Sequence, residues 1–479
     1  MLANILVIDR ALSIIFIILV IFFDKKKPES SLAWILVLTF LPYLGVTLYI
    51  LFADSFRFRI HKKETEKLTK NKELQKEIRS QLNALNSIDK NKHINSAISL
   101  ATLNINADNL ITSNNKLCVY NKGIDMFVDL LEDIANAKKF IHLSYYIIQK
   151  DKYGERLKNA LIRKLKDGVE VRLIYDQIGS KWTSKAFFKD LVNAGAKVER
   201  FFPATIFFKP YLNHRNHRKM VIIDGCVGYV GGMNIGGEYC NEDNKLNPWC
   251  DRHIRVEGNS ISSLQMQFFK DYLFVSDEKI DFNDKDILSK YFPLVKSNGN
   301  KAMQIVASGP DYKDESIKHS YLKMINSARK CIYIETPYLV LDDSLMDAIK
   351  VAVKSGVEVN IVIPSIPDKW FVYAVTLSYA RELISNGANV YAYKGFMHSK
   401  VVIMDDLATS IGSANLDRRS FYLNFEINAI VYDKEFCNDN IKLVQEDIKN
   451  SEYLNDTIKK KNKFGLWLER ILRLLAPLM

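Results

Sequence analysis

His217-Arg-Lys219-Met-Val-Ile-Ile-Asp224-Gly-Cys-Val-Gly-Tyr-Val-Gly231-Gly-Met-Asn234 returns as His398-Ser-Lys400-Val-Val-Ile-Met-Asp405-Asp-Leu-Ala-Thr-Ser-Ile-Gly412-Ser-Ala-Asn415, each matched residue 181 positions later. His, Lys, Asp, Gly and Asn coincide, as do Val221 with Val402 and Ile222 with Ile403, so the chain carries two copies of one unit. Working outward, Ala137-Lys-Lys-Phe-Ile resembles Ala328-Arg-Lys-Cys-Ile, and Gly168-Val-Glu-Val-Arg-Leu-Ile resembles Gly356-Val-Glu-Val-Asn-Ile-Val. Ala194-Gly-Ala-Lys-Val likewise resembles Asn386-Gly-Ala-Asn-Val. Each copy reads as helix, buried strand, helix, buried strand, helix, strand and then the His motif, which is a layered α/β unit. The expected fold class is therefore α/β, with two similar lobes related by pseudo-twofold symmetry, residues 106–296 and 297–455.

Within each motif the residues after Lys are strand-like and Asp224-Gly225 is a turn signal, so a hairpin is expected. Period two puts His217 and Lys219 on one face and gives Asp224 the opposite parity, so its expected task is to hold the hairpin together. Gly231-Gly232-Met-Asn234 and Gly412-Ser413-Ala-Asn415 offer small residues where backbone N–H groups can approach phosphate oxygens, with an amide added.

Cleaving a phosphodiester requires a nucleophile, a proton donor for the leaving alkoxide and cations around the nonbridging oxygens. His217 and His398 can fill the first two roles, since imidazole titrates at about 6.5. Lys219, Lys400, Asn234, Asn415, Gly232 and Ser413 are the candidates for holding the phosphoryl group. An attacking imidazole also needs a carboxylate on its other nitrogen. Asp251 and Glu426, on the strand that follows each motif, are the candidates for orienting His217 and His398, and Glu238 is the competing choice. The other histidines, His61, His93, His142, His214, His253 and His319, read as structural side chains.

The remaining composition narrows the setting. The 479 residues are 48% apolar and carry a net charge of +12, which excludes global disorder and implies an anionic partner, nucleic acid or acidic lipid. Six cysteines without CxxC spacing suit reduced thiols rather than a disulfide framework. Cys240 and Cys250 lie near His214, His217 and His253, but the second copy has Gly395 where the first has His214, so no metal is expected.

Two apolar runs open the chain, 5–23, interrupted by Asp9-Arg10, and the uncharged 32–52. They are expected to form a transmembrane hairpin over residues 1–56, with 32–52 long enough to cross about 30 Å of hydrocarbon. Seven cations follow the second run, from Arg57 to Lys72, against Lys25, Lys26 and Lys27 in the connector, which places the catalytic body on the cytoplasmic side of a cell membrane. Residues 57–105 read as a charged, partly amphipathic helical linker, and 456–479, with Arg470 and Arg473 beside an apolar surface, as a segment that either lies among headgroups or docks on the protein.

His-x-Lys-x4-Asp-x6-Gly-x-x-Asn in duplicate resembles the phospholipase D superfamily. Tyr145-Tyr146, Arg215-Asn-His-Arg-Lys219, Gly231-Gly-Met-Asn-Ile-Gly-Gly-Glu-Tyr239, Glu335-Thr-Pro-Tyr338 and Asn415-Leu-Asp-Arg-Arg-Ser-Phe-Tyr-Leu-Asn-Phe-Glu426 resemble the bacterial cardiolipin synthases within it. The resemblance covers nearly the whole chain. It implies a phosphatidyltransferase that moves a phosphatidyl group from one phosphatidylglycerol to another and releases glycerol, through a covalent phosphatidyl-histidine and with no cofactor. It further implies His217 as nucleophile, His398 as acid and then base, and Lys219, Asp224, Lys400 and Asp405 as active-site partners; the parity of Asp224 argues against direct chemistry by the aspartates. No P-loop and no Asp-Gly-x-x-Ala-Arg pattern of the metal-dependent alcohol transferases is found. The same residues would serve a phospholipase D that uses water or a transferase with serine or ethanolamine as acceptor. A nuclease is disfavoured by the apolar hairpin, so phosphatidylglycerol and anionic membrane lipid, not nucleic acid, are the expected partners, and a non-enzymatic scaffold leaves the intact motifs unexplained.

Overall fold

The buried strands of the two repeats join in one continuous sheet. In the computed structural model, which describes residues 2–23, 28–52, 72–87, 94–201, 214–242, 245–295, 297–312, 314–458 and 471–473, the first lobe contributes β1 (Ile111–Tyr120), β2 (Phe140–Tyr145), β3 (Glu170–Asp176), β4 (Lys197–Phe201), β5 (Met220–Ile223), β6 (Val227–Gly231) and β7 (His253–Glu257). The second contributes β8 (Lys301–Ser308), β9 (Cys331–Glu335), β10 (Glu358–Pro364), β11 (Asn389–Tyr393), β12 (Val401–Met404), β13 (Ala408–Gly412), β14 (Asn424–Tyr432) and an edge strand β15 (Ser451–Tyr453). From the centre outward the lobes read alike, β1-β7-β6-β5-β2-β3-β4 and β8-β14-β13-β12-β9-β10-β11, so the pseudo-twofold passes between β1 and β8. Those two pair antiparallel, with Ile111 opposite Gln304.

Three side-chain clusters fix the layers. One face of the first lobe is covered by helices that bring Leu130, Ile134, Leu157 and Leu161 onto Leu143 and Leu173. The second lobe is covered in the same way by Tyr321, Met324, Leu345 and Ile349 over Ile334 and Ile361. The third cluster is shared, because Phe268 and Phe269 from one lobe and Phe436 and Val444 from the other pack with Phe140, Ile254, Ile403 and Ile427. A common apolar core of this kind fixes the two lobes relative to each other far more tightly than a linker would.

The front of the chain departs from the expected hairpin. Helix α1 (Leu2–Phe23) is followed by α2 (Pro28–Phe40) and α3 (Pro42–Phe52), so the run expected to cross as one helix is broken in two. Pro42 is the cause: it has no N–H to offer the Leu38 carbonyl, and its ring clashes with that carbonyl. At about 1.5 Å per residue the two pieces reach only about 20 and 17 Å. Among the described residues no helix is long and apolar enough to cross a membrane. The three helices pack through Val20, Leu38 and Tyr49, while Ile14, Ile15, Phe22, Phe40 and Leu44 face outward.

The expected linker is also corrected at its end. Helix α4 (Lys72–Ser87) docks on β1, where the Gln81 amide donates to the Ile111 carbonyl at 2.9 Å and accepts its N–H at 3.0 Å. Helix α5 (Asn95–Asn106) belongs to the second lobe, with Leu100, Ala101 and Ile105 buried and the Ser96 hydroxyl donating to the Ser327 carbonyl at 2.9 Å. Its apolar face satisfies the core, so it is no spacer. In the tail, Leu472 is buried and the Arg473 guanidinium lies 4.2 Å from the Tyr379 ring and 2.5 Å from Glu382, which docks this turn on the protein; the rest of 459–479, His61, His93 and the cations from Arg57 to Lys70 lie outside the described residues.

Leu100→Ala is expected to destabilise the protein by about 3 kcal/mol through lost transfer energy and the cavity left behind. Thermal and denaturant unfolding check this; an unchanged midpoint would mean that α5 is a tether after all.

Candidate active site

Each motif histidine leaves its own lobe. The two residues before His217, Arg215 and Asn216, pair in parallel with Asn424 and Phe425 at the start of β14, and His217 N–H donates to the Phe425 carbonyl at 2.9 Å. Correspondingly, Phe396 and Met397 pair in parallel with Trp249 and Cys250, and His398 N–H donates to the Cys250 carbonyl at 2.7 Å. This crossover puts each imidazole beside the carboxylate of the opposite repeat. His217 Nδ1 lies 3.0 Å from Glu426 Oε1, and His398 Nδ1 lies 2.6 Å from Asp251 Oδ2. Sequence order suggested that each strand after a motif serves its own histidine; the residues are the expected ones and their pairing is exchanged. Glu238 sits instead in the short turn Gly237–Cys240.

The carboxylates occupy equivalent places, two residues before His253 and Asn428, the partners of Gly231 and Gly412 in the sheet. The small residues of the motifs make room for them and hold them, which corrects their expected role as phosphate ligands. A Cβ on Gly232 would fall 2.0 Å from Asp251 Oδ1, and the Gly232 N–H is already given to the Arg252 carbonyl at 2.8 Å. Ser413 donates its hydroxyl to Glu426 at 2.5 Å, and its N–H goes to the Ile427 carbonyl at 2.9 Å. Asn234 is likewise consumed, accepting from the Ile147 N–H at 3.0 Å and donating to the Tyr239 hydroxyl at 2.7 Å. Asn415 donates to Asp417 at 3.1 Å, and its buried side-chain oxygen has no hydrogen-bond partner among the described residues.

Lys219 and Lys400 are buried, and each ammonium donates to the carbonyl of its own motif histidine, Lys219 to His217 at 2.6 Å and Lys400 to His398. Burial drives Lys219 well below the usual lysine range and Lys400 down to about 8. Burial also holds His217 down to about 4 against the pull of Glu426, and His398 down to about 3, with Lys400 adding to the fall and Asp251 opposing it. Lys400 acts on His217 and Lys219 acts on His398, so both motifs lie in one electrostatic site. Both imidazoles are neutral at pH 7 when the site is empty, whereas free imidazole values suggested one neutral and one charged ring. Aromatic walls explain the dryness: the Tyr146 ring meets His217 edge-on at 4.8 Å, and Trp249 lies 4.9 Å from His398.

Asp224 and Asp405 are not in this site. Each stands at its hairpin turn with positive φ, 54° and 51°. Asp224 accepts from the N–H groups of Lys138, Lys139 and Phe140 at 2.7 to 2.9 Å, and Asp405 from those of Arg329, Lys330 and Cys331 at 2.9 to 3.0 Å. Three charge-assisted bonds commit both carboxylate oxygens to the start of the neighbouring strand. Two of the histidines read as structural have structural surroundings: His142 stacks on Phe268 at 4.6 Å and His214 lies 3.0 Å from the Leu423 carbonyl. The sequence reading missed Asp176, a buried carboxylate at the end of β3 that accepts from the Asn216 N–H at 3.1 Å and so fixes the segment entering His217. Nothing repeats it, because the second lobe has Pro364 there.

This duplicated sheet, with one composite histidine site on its axis, defines the phospholipase D-like class of enzymes. A family model described as cardiolipin synthase, phospholipase D-like domain, matches residues 130–259 and 321–448, and one described as phospholipase D-nuclease N-terminal matches 11–53. The major cardiolipin synthase of Bacillus subtilis is 41% identical over 98% of this chain and 97% of its own, and a cardiolipin synthase of Listeria monocytogenes is 38% identical over the full length of both. Among solved structures, phosphatidylserine synthase of Haemophilus influenzae shares the fold at a TM-score of 0.56 and 16% identity, covering 76% of this chain and 93% of that one. The chain belongs to the bacterial cardiolipin synthases of the phospholipase D superfamily and is a phosphatidyltransferase.

Two measurements test the geometry. In spectra of 15N-histidine-labelled protein, Glu426→Gln is expected to move the His217 Nδ1 resonance and leave His398 in place, and Asp251→Asn to do the reverse; shifts within the same repeat would refute the exchange. Asp224→Ala removes three charge-assisted hydrogen bonds, two of them from exposed N–H groups that water can take over, and is expected to lower stability by about 1–3 kcal/mol, with the specific activity of the folded fraction retained.

Proposed function

We propose that the site transfers a phosphatidyl group between two phosphatidylglycerol molecules and releases glycerol. The observation that carries this reading is the pair of crossed histidine–carboxylate contacts in one dry site, 3.0 Å for His217 with Glu426 and 2.6 Å for His398 with Asp251. With Nδ1–H donated to a carboxylate, each ring presents Nε2 to the pocket. His217 Nε2 attacks phosphorus, the bond from phosphorus to the glycerol oxygen breaks, and the departing alkoxide takes its proton from His398 Nε2. The free hydroxyl of a second phosphatidylglycerol then loses its proton to His398 and attacks, and the phosphorus–nitrogen bond breaks to regenerate His217. Lys219 and Lys400 stabilise the charge on the nonbridging oxygens. One phosphodiester replaces another, so neither nucleotide nor metal is required.

The low values of the two imidazoles make a demand on this scheme. A proton must sit on His398 in the reactive complex, and the negative charge of the bound phosphodiester supplies the field that raises it there. Binding of a phosphodiester headgroup at pH 7 is therefore expected to take up about one proton, read by calorimetry in buffers of different ionisation heat; zero uptake would remove His398 as the donor. The sign also fixes the trend of kcat/KM, which falls as pH rises because the proton is harder to acquire, and falls further through about 8 as Lys400 loses its charge.

For attachment to lipid, α1, α2 and α3 turn the exposed side chains of Ile14, Phe22, Phe40 and Leu44 outward, a surface suited to hydrocarbon. The test of the reaction incubates the purified full chain with phosphatidylglycerol vesicles and follows glycerol and diphosphatidylglycerol together. Both should appear in equal amounts; phosphatidic acid alone would make the enzyme a hydrolase. His217→Ala should abolish the acid-labile phosphatidyl-protein adduct and His398→Ala slow its formation, whereas an adduct on residue 398 would reverse the roles.

A further inference from the structure

Strands β3 and β10 are equivalent in the two lobes, and the segments leaving their C-terminal ends carry the same dipeptide at the same step, in a turn in the first lobe and at the start of the helix Trp370–Ser385 in the second. Lys181-Trp182 are the fifth and sixth residues after Asp176, and Lys369-Trp370 the fifth and sixth after Pro364. Neither indole is in the core: Trp182 is 82% exposed and Trp370 is 68% exposed, with Phe371 exposed beside it. One exposed tryptophan is unremarkable, but two in structural register, each beside a lysine, form a repeated feature outside the site.

Both loops are fastened to the mouth of the active site. Gly179 lies so close to Tyr146 that a Cβ there would fall 2.3 Å from its carbonyl, and the Ser180 hydroxyl donates to that carbonyl at 3.1 Å. Tyr146 is the ring set against His217. In the second lobe Asp368, next to Lys369, accepts from the Tyr338 hydroxyl at 2.5 Å, and its charge is felt at Lys400.

Both segments carry a lysine against an aromatic ring, and in the second the Lys369 ammonium also lies 3.9 Å from Asp368 Oδ2. The Lys181 ammonium is 5.0 Å from the Trp182 ring and the Lys369 ammonium 5.5 Å from the Tyr338 ring. Beside Trp182 opens a cleft of about 300 Å³ to which Lys181, Lys185 and Arg200 contribute cations and, among the described residues, no acidic side chain contributes. An amphipathic indole with an adjacent ammonium matches the headgroup layer of an anionic bilayer, where the ring meets the glycerol level and the cation meets phosphate.

We propose that Lys181-Trp182 and Lys369-Trp370 are paired interfacial anchors that seat the mouth of the active site on an anionic phospholipid surface. The inference rests on the lipid-substrate reading above and adds the surface by which the bilayer is met. A second copy of this chain is the competing occupant, and the test separates the two.

The full chain and its Trp182→Ser/Trp370→Ser variant are compared on phosphatidylglycerol vesicles and on short-chain phosphatidylglycerol kept below its micelle concentration. The variant should lose about tenfold in kcat/KM on vesicles, keep its turnover of the dissolved substrate within about twofold, and show reduced quenching of tryptophan fluorescence by bromolipid. Equal vesicle activity and equal quenching in both proteins would overturn the anchors. Equal loss on both substrates would overturn them too, since the indoles would then act in the site or the fold. A change of mass in light scattering with quenching unaltered would give the surface to a second copy, also against the proposal. Failure of the unaltered chain to form diphosphatidylglycerol on vesicles would instead defeat the proposed function.

Discussion

The parallel pairing of each motif's entry segment with the opposite lobe's carboxylate strand is the contact on which the site depends. Arg215-Asn216 against Asn424-Phe425, and Phe396-Met397 against Trp249-Cys250, are only two residues long on each side. Such short pairings have little stability of their own. They persist because the central sheet and the core shared by Phe268, Phe269, Phe436 and Val444 hold the lobes in fixed positions. Fold and chemistry meet here: the large apolar interface sets the distance, and two hydrogen bonds from His217 and His398 backbone N–H groups set the aim.

Dryness is the second constraint. Aromatic walls and burial depress both imidazoles and both lysines, so the empty site carries less positive charge than its composition suggests. A phosphodiester entering it would bring a full negative charge beside these groups. Its charge then has a large effect, because little solvent remains to screen it. The carboxylates stay ionised despite burial, Glu426 held low by His217, Lys219 and Ser413 and Asp251 by His398 and Lys400, which preserves the tautomer that each ring needs.

Much of this was legible in the residues. The repeat announced the twofold lobes, the apolar runs marked the buried strands, and parity placed Asp224 at the turn rather than in the site. Asp251 and Glu426 were found because a ring that attacks needs an anion behind it. Their exchange between repeats was not legible, since local pattern records which strand follows a motif and is silent on which strand lies beside it. Gly232 and Ser413 misled for a related reason: a small residue permits any close approach, and here the neighbour is a carboxylate rather than a phosphate. Pro42 was plainly visible within the apolar run, and counting hydrophobicity alone passed over the break it imposes.

The exchange of partners also bears on how such a chain can change over generations. Duplicated genes commonly tolerate decay in one copy while the other keeps working. Here each repeat lends its acid to the other's imidazole, so damage to either half disturbs both histidine–carboxylate pairs. The two copies form a single indivisible inheritance, able to specialise in Asp on one side and Glu on the other, yet with no spare.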